Sequence, residues 1–141
     1  MKRIGFLFEK IISFENLLSS VAKAMRGKRD KISAAKFYLN MEFELLGLRE
    51  VLCDGTYQPV EYHCFHIYEP KQRYICAADF RDRVVHHAIC NVLEPVFEKM
   101  FISDSYACRK DKGTHKAIRR VREFAKKCRY FLKADIRKFF E

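Results

Sequence analysis

Apolar residues recur at helical spacing along the first third of the chain. From about Ser13 to Met25, Leu17, Leu18, Val21 and Met25 fall on or near one face, which predicts a helix. Ser13 can cap its start, and Asn16 competes for that role. Gly27 and the charged Lys28-Arg29-Asp30 break the pattern. A longer helix is predicted from about Ile32 to Cys53, with Ala35, Leu39, Phe43 and Leu46 as its core-facing stripe. Asp54-Gly55 marks a turn. Between Tyr57 and Ala78 the pattern changes. Tyr62, Cys64, Phe65 and Ile67, then Tyr74, Ile75 and Cys76, predict a hairpin around Pro70-Lys71-Gln72-Arg73. Its tip carries two cations.

Asp79 can cap the next helix, whose wide apolar face is Phe80, Val84, Val85, Ala88, Ile89, Val92 and Leu93. Pro95 disturbs it near its end. Phe101 to Gly113 is a polar loop long enough to be functional. Thr114 is a good cap for a last helix, to about Cys128. Ala117, Ile118, Val121, Phe124, Ala125 and Cys128 form its stripe. Lys116, Arg119, Arg120, Arg122, Lys126 and Lys127 hold the rest, with Glu123 the only acid. Charge of one sign favours a phosphate-tracking face. Tyr130 to Ala134, apolar apart from Lys133, reads as a buried strand that ends at Asp135. The fold class is therefore α+β and helix-rich, with a β-hairpin and a final strand.

Composition narrows the function classes. The 141 residues suit one domain, and 49% hydrophobic with 14% aromatic residues argues against disorder. A formal charge of +10, from 28 Lys+Arg against 18 Asp+Glu, points to a polyanionic partner, nucleic acid before membrane. No stretch approaches a membrane span, and Glu9 and Lys10 break the apolar start too early for a signal peptide, so the expected location is cytoplasmic. Six cysteines are scattered singly and read as buried thiols of a reducing cytosol rather than a disulfide framework. His63-Cys64-Phe65-His66 offers Cys64 and His66 on one face of a strand, but His63 points the other way and no second ligand cluster accompanies it. His86 and His87 are adjacent on a helix and read as polar packing or RNA contacts, not catalysts.

Four ordered blocks carry more. They are Glu69-Pro70-Lys71-Gln72-Arg73-Tyr74-Ile75, Phe80-Arg81-Asp82-Arg83-Val84-Val85-His86-His87-Ala88, the segment Asp104 to Ala117, and Leu132-Lys133-Ala134-Asp135-Ile136-Arg137-Lys138-Phe139-Phe140. Together they resemble the fingers and first palm motif of a bacterial reverse transcriptase. Enzymes of diversity-generating retroelements are most similar, with group II intron and retron enzymes next. The resemblance covers about Gly55 to Glu141 well and the N-terminal helices loosely. It implies an N-terminal helical region at 1–54, fingers at 55–129 and the start of a palm at 130–141. It also implies RNA-directed DNA synthesis by two-metal nucleotidyl transfer in the complete enzyme.

The site residues follow from the same resemblance. Asp135 would be the catalytic carboxylate and would bind Mg2+, with the backbone carbonyl of Ile136 assisting. Lys71 and Arg73 would hold the deoxynucleoside triphosphate, a compact charge beside a planar fork. Phe140 would lie beneath the sugar and exclude a 2′-hydroxyl. Ser105 and Arg109 would line the template pocket, and Lys116, Arg119 and Arg120 would follow the RNA template or RNA–DNA hybrid. Two departures stand out. Asp111 occupies a position where close relatives tend to have Gly. The later motif with paired aspartates, the rest of the palm and the thumb are absent from the sequence. The chain therefore looks like an N-terminal fragment, inactive by itself, whose partners include the missing portion. The alternatives are a non-catalytic nucleic-acid-binding module and a protein-interaction fragment that keep the fingers fold.

Overall fold

Residues 4–137 are described here by a computed structural model. The fold is α+β, about half helical, with a two-stranded antiparallel hairpin. The chain divides into two compact units, Met1–Phe97 and Glu98–Glu141.

In the first unit, α1 (Leu7–Ile11) leads into α2 (Phe14–Ala24). Ser13 caps α2: its Oγ accepts the N–H of Asn16 at 3.3 Å, so one N-terminal donor without a helical partner is satisfied. Asn16 is used differently. Its Nδ2 donates to the carbonyls of Ile11 and Ala88, both at 3.0 Å, and its Oδ1 accepts from Asn91 at 2.9 Å.

The predicted helix from Ile32 to Cys53 forms as two helices, α3 (Ile32–Leu39) and α4 (Met41–Cys53). Asn40, at φ −112° and ψ 25°, separates them. Asn is a poor helix-interior residue because its side chain competes for backbone groups. The core-facing stripe also differs from the one read in the sequence. Ala34, Phe37, Leu45 and Leu48 are buried, whereas Leu39 and Phe43 are 82% and 80% exposed and Ala35 and Leu46 are exposed too. Both stripes are apolar at 3–4 spacing, but Ala34, Phe37, Met41, Leu45 and Leu48 make the longer run. That run packs with Leu17, Val21, Ala24 and Met25 of α2.

Strands β1 (His63–Ile67) and β2 (Arg73–Ala77) pair with His63 opposite Ala77 and Ile67 opposite Arg73. Cys64 and Cys76 face each other and form a disulfide. The remaining four cysteines are exposed, so the expectation of buried free thiols does not hold for any of the six. Directly opposed positions on one face of a hairpin bring two Cβ atoms close enough for a bridge.

Helix α5 (Phe80–Glu98) supplies the last wall of the core. Asp79 caps it, its Oδ1 accepting the N–H of Arg81 at 2.9 Å. Phe80, Val84, Val85 and Ala88 are buried, and Phe80 meets Phe37 with ring centroids 5.2 Å apart. Pro95 lies in the last turn, and the helix continues to Glu98. Asp82 is buried among these apolar groups, 2% exposed. Its Oδ1 accepts from the Tyr57 hydroxyl at 2.5 Å and its Oδ2 from the N–H of Val60 at 2.9 Å.

The second unit is an irregular segment followed by α6 (Thr114–Ala125). Gly113, at φ 96°, takes the N-cap position in place of the expected Thr114, which becomes the first helical residue. Only glycine adopts that backbone without cost. α6 buries no residue, and Ile118, Val121 and Phe124 are exposed. The strand predicted at Tyr130 to Ala134 does not form; Tyr130, Phe131 and Leu132 are exposed, and β1–β2 is the only sheet among the described residues. A strand persists where a neighbour takes its N–H and C=O groups. No helix among the described residues is long and apolar enough to cross a membrane.

The two stripes of α3 and α4 separate in an equilibrium denaturation experiment. Leu45→Ala should cost about 2–5 kcal/mol, as a fully buried side chain removed from a packed core. Leu39→Ala should stay within about 0.5 kcal/mol. Equal losses at both positions would show that the Leu39 stripe is covered as well.

Candidate nucleic-acid interface

Cations collect in three places: the hairpin tip, the segment before α6, and α6 itself. In the first unit, Lys71 lies between the strands and Arg73 opens β2, both exposed. Beside them, the His66 ring packs against Tyr74 at 4.8 Å and Tyr68 at 6.3 Å. The hairpin thus presents two cations next to flat rings, groups that suit phosphates and bases respectively. The Glu69–Pro70 peptide within the turn is cis.

In the second unit the loop is built around arginine. Arg109 is mostly buried: its Nε donates to both carboxylate oxygens of Glu98, at 3.0 and 2.9 Å. Its Nη1 donates to the carbonyls of Ile102 and Ser105 at 2.9 and 3.0 Å, and its guanidinium lies 5.2 Å from the Phe101 ring centroid. The two residues read as template contacts, Ser105 and Arg109, are therefore brought together. The arginine fork ties its own loop. Cys108 and Asp111 adopt positive φ, 55° and 57°. Asp tolerates the left-handed region better than most side chains.

Helix α6 divides its cations. Arg120 pairs with Asp104 through Nε at 2.8 Å and Nη2 at 3.3 Å, and with Glu123 at 2.9 Å. The Arg120 hydrogen bond holds the Asp104 carboxyl below the usual carboxylate range, and the two acids push Arg120 up. Lys116 Nζ donates to the Asp111 carbonyl at 2.6 Å. Among the described residues, Arg119, Arg122, Lys126 and Lys127 make no side-chain hydrogen bond or ion pair. They are the cations of α6 and of the two residues just past it that are left for a partner. Sequence reading missed the acids Glu98 and Asp104, because pairs 11 and 16 residues apart leave no periodic trace.

Asp135 is exposed, and its Oδ1 accepts the N–H of the next residue, Ile136, at 2.9 Å. Phe140 lies outside the described residues, as do Lys138, Phe139 and Glu141.

Three proteins are similar to this chain over part of their length. Protein YkfC of Escherichia coli is 29% identical over 121 residues, covering 79% of this chain and 31% of that protein. Group II intron-encoded protein LtrA of Lactococcus lactis subsp. cremoris is 25% identical over 133 residues, covering 92% of this chain and 22% of LtrA. Nuclear intron maturase 1, mitochondrial, of Arabidopsis thaliana is 39% identical over 57 residues, covering 40% of this chain and 8% of that protein. No protein-family model matches the chain. The chain thus spans less than a third of the length of each relative. The partial matches support a reverse-transcriptase-like relationship of the group II intron kind.

The Arg120–Asp104 pair gives this segment a pH signature. Asp104 has a folded pKa below its unfolded one. Its contribution is therefore fully present above the unfolded value of about 3.9 and lost as pH falls through the folded value. Amide exchange at Ser105 and Gly113, whose N–H groups donate to the Ile102 and Tyr106 carbonyls, should stay slow at pH 4 and accelerate only on further acidification. Arg120→Gln should remove that step; the same profile in the variant would detach Asp104 from it.

Proposed function

We propose that this chain is the N-terminal, nucleic-acid-facing part of an RNA-directed DNA polymerase of a retroelement. In this reading residues 55–129 act as fingers, and the stretch from 130 begins the palm. The observation that carries it is the hairpin. The block that resembles a triphosphate-binding element forms the turn and the start of β2 in a paired hairpin, with Lys71 and Arg73 exposed at its mouth. A match to a group II intron-encoded protein over 92% of the chain supports the same reading. An element of the diversity-generating kind is the finer version of this proposal.

Each residue has a role in it. Lys71 and Arg73 neutralise charge on the leaving pyrophosphate of a deoxynucleoside triphosphate. Arg109 holds the loop that presents Ser105 to the template. Arg119 contacts the RNA template or the RNA–DNA hybrid through phosphates, while Lys116 and Arg120 brace the loop from α6. Phe140 gates the sugar.

The metal requires a separate test of fit. A divalent ion such as Mg2+ is bound by oxygens, with carboxylates contributing most of the protein charge. Asp135 offers one carboxylate and Ile136 one carbonyl. Among the described residues no group of three or more His, Cys, Asp or Glu could hold a metal ion. The residues described here do not by themselves form a two-metal site. Asp135 is proposed as one contributor to a site completed by other parts of the enzyme.

A second reading, a protein-interaction module, draws on the exposed Leu39, Phe43 and Leu46. Contiguous exposed apolar groups commonly mark a contact surface.

Two measurements decide. In a full-length enzyme carrying this chain, Lys71→Ala and Arg73→Ala should each raise the KM for nucleotide about 10- to 100-fold, the loss of a charge-assisted contact. Asp135→Asn should abolish primer extension while the protein remains folded. An unchanged nucleotide KM with weakened template binding would move the hairpin to the nucleic-acid track. For residues 1–141 alone, RNA affinity should fall with salt. Arg119, Arg122, Lys126 and Lys127, unpaired among the described residues, predict a log–log slope of about −3 if all four contact single-stranded phosphates. Binding that is absent at low salt would refute the nucleic-acid reading and favour the protein-interaction one.

A further inference from the structure

We propose that Arg83 and His87 of α5, with Lys23 of α2 and Arg26 just past its end, form a phosphate-binding site, and that the phosphate belongs to an RNA backbone. Of these four residues the sequence singles out only His87, as polar packing or an RNA contact, and none carries a role in the proposed polymerase function. That reading enters here only as the source of the phosphate.

The first observation is Arg83. Its Nε is buried and has no hydrogen-bond partner among the described residues. Its guanidinium lies 5.9 Å from the Phe80 ring centroid, packed on an apolar surface. Arg83 is only half-buried, but native structures rarely leave even one buried donor of a side chain unmatched, because its desolvation cost is not repaid. A donor left open in this way fits an acceptor supplied from outside. Phosphate suits it, since a guanidinium fork matches two phosphate oxygens.

The second observation is spacing. Arg83, His86 and His87 lie at i, i+3 and i+4 on α5, so they share one side of the helix. Lys23 and Arg26 lie at i and i+3, the first in the last turn of α2 and the second just past its end. The two elements are fastened at this level. Lys23 Nζ donates to Asn91 Oδ1 at 2.5 Å, and Asn91 stands one turn beyond His87. Asn91 in turn donates to Ser20 Oγ at 3.0 Å and to Asn16 Oδ1 at 2.9 Å. Lys23 is thus held against α5 by a neutral amide, itself fastened to the amide and hydroxyl groups of α2.

The third observation is what surrounds His87. The groups whose charge acts on it are Lys23, His86, Arg26 and Arg83, from α2, from the residues just past it and from α5, and all are basic side chains. Burial first, then this field, pushes the His87 imidazolium below its usual range. Arriving phosphate reverses the sign of the field and favours a proton on His87. Binding should therefore take up a proton and tighten as pH falls, by at most about tenfold per unit.

The test uses residues 1–141 with the His87 imidazole followed by NMR. One arm adds a single-stranded oligoribonucleotide, the other inorganic phosphate at matched ionic strength. The oligoribonucleotide should shift the His87 resonances and raise its pKa. Arg83→Gln, checked for folding by its thermal transition, should weaken binding about tenfold or more and abolish the pKa change. His87→Gln should keep binding but lose its pH dependence. RNA that binds with the ordinary salt slope while His87 is unmoved overturns this site and leaves the nucleic-acid reading standing. Shifts by inorganic phosphate alone overturn the RNA assignment. Absence of RNA binding overturns both. If Arg83→Gln fails to fold, Lys23→Gln with Arg26→Gln makes the same measurement on the exposed rim, and unchanged affinity and unchanged His87 pKa in that variant overturn the site.

Discussion

A single buried carboxylate fixes how the hairpin leaves the helical core. Asp82 lies among Phe80, Val84 and Val85, yet both of its oxygens are occupied, by the Tyr57 hydroxyl and the Val60 N–H. Burial, then the contact with Asp82, pushes the Tyr57 phenol up, so it remains a donor throughout the ordinary pH range. A buried ionisable group is tolerated only when its lone pairs are matched. Here the match fastens residues 57–60 to the first turn of α5. The chain before the hairpin and the chain after it meet at one residue.

The rest of the first unit follows from helix faces that close around that point. Leu17 and Val21 of α2, Phe37 of α3 and Leu45 and Leu48 of α4 fill the space beside Phe80 and Val84. The amide network of Asn16 and Asn91 sets how α2 meets α5. The second unit rests on other forces. α6 has no buried residue, so its loop depends on Arg109 with Glu98 and Arg120 with Asp104. The former is largely shielded from water and the latter is half in it, so Arg109 contributes the larger share.

Much of the fold was legible because its signals are local. Ser13 and Asp79 announce their helices through capping chemistry that needs only the next few residues. The hairpin announces itself through alternation around Pro70-Lys71-Gln72-Arg73. What was not legible depends on partners distant in sequence. Residues 32–53 carry two apolar stripes, and only packing against α2 and α5 decides that Phe37 and Leu45 go inward while Leu39 and Phe43 stay out. Asp82 reads in sequence as one more charge in a basic helix start. Arg109 and Arg120 read as open cations until Glu98 and Asp104 come beside them. Tyr130 to Ala134 has strand composition, but composition provides no pairing partner. For the candidate site, the hairpin cations and the unpaired end of α6 were visible in sequence, whereas the division of the α6 cations between loop and solvent was not.

The clasp at Asp82 makes the hairpin a closed excursion. Residues 61–79 leave from Val60 and return at Phe80, and neither strand supplies a fully buried side chain. Lengthening such an excursion costs only the slowly growing entropy of a larger loop, about 0.6 kcal/mol for each doubling. The turn and its exposed side chains can therefore change in length and character while the helices beneath stay as they are. Exposed hairpin side chains other than Lys71 and Arg73 can therefore be exchanged without disturbing the core, whereas a change at Tyr57 or Asp82 frees the point from which the whole excursion departs.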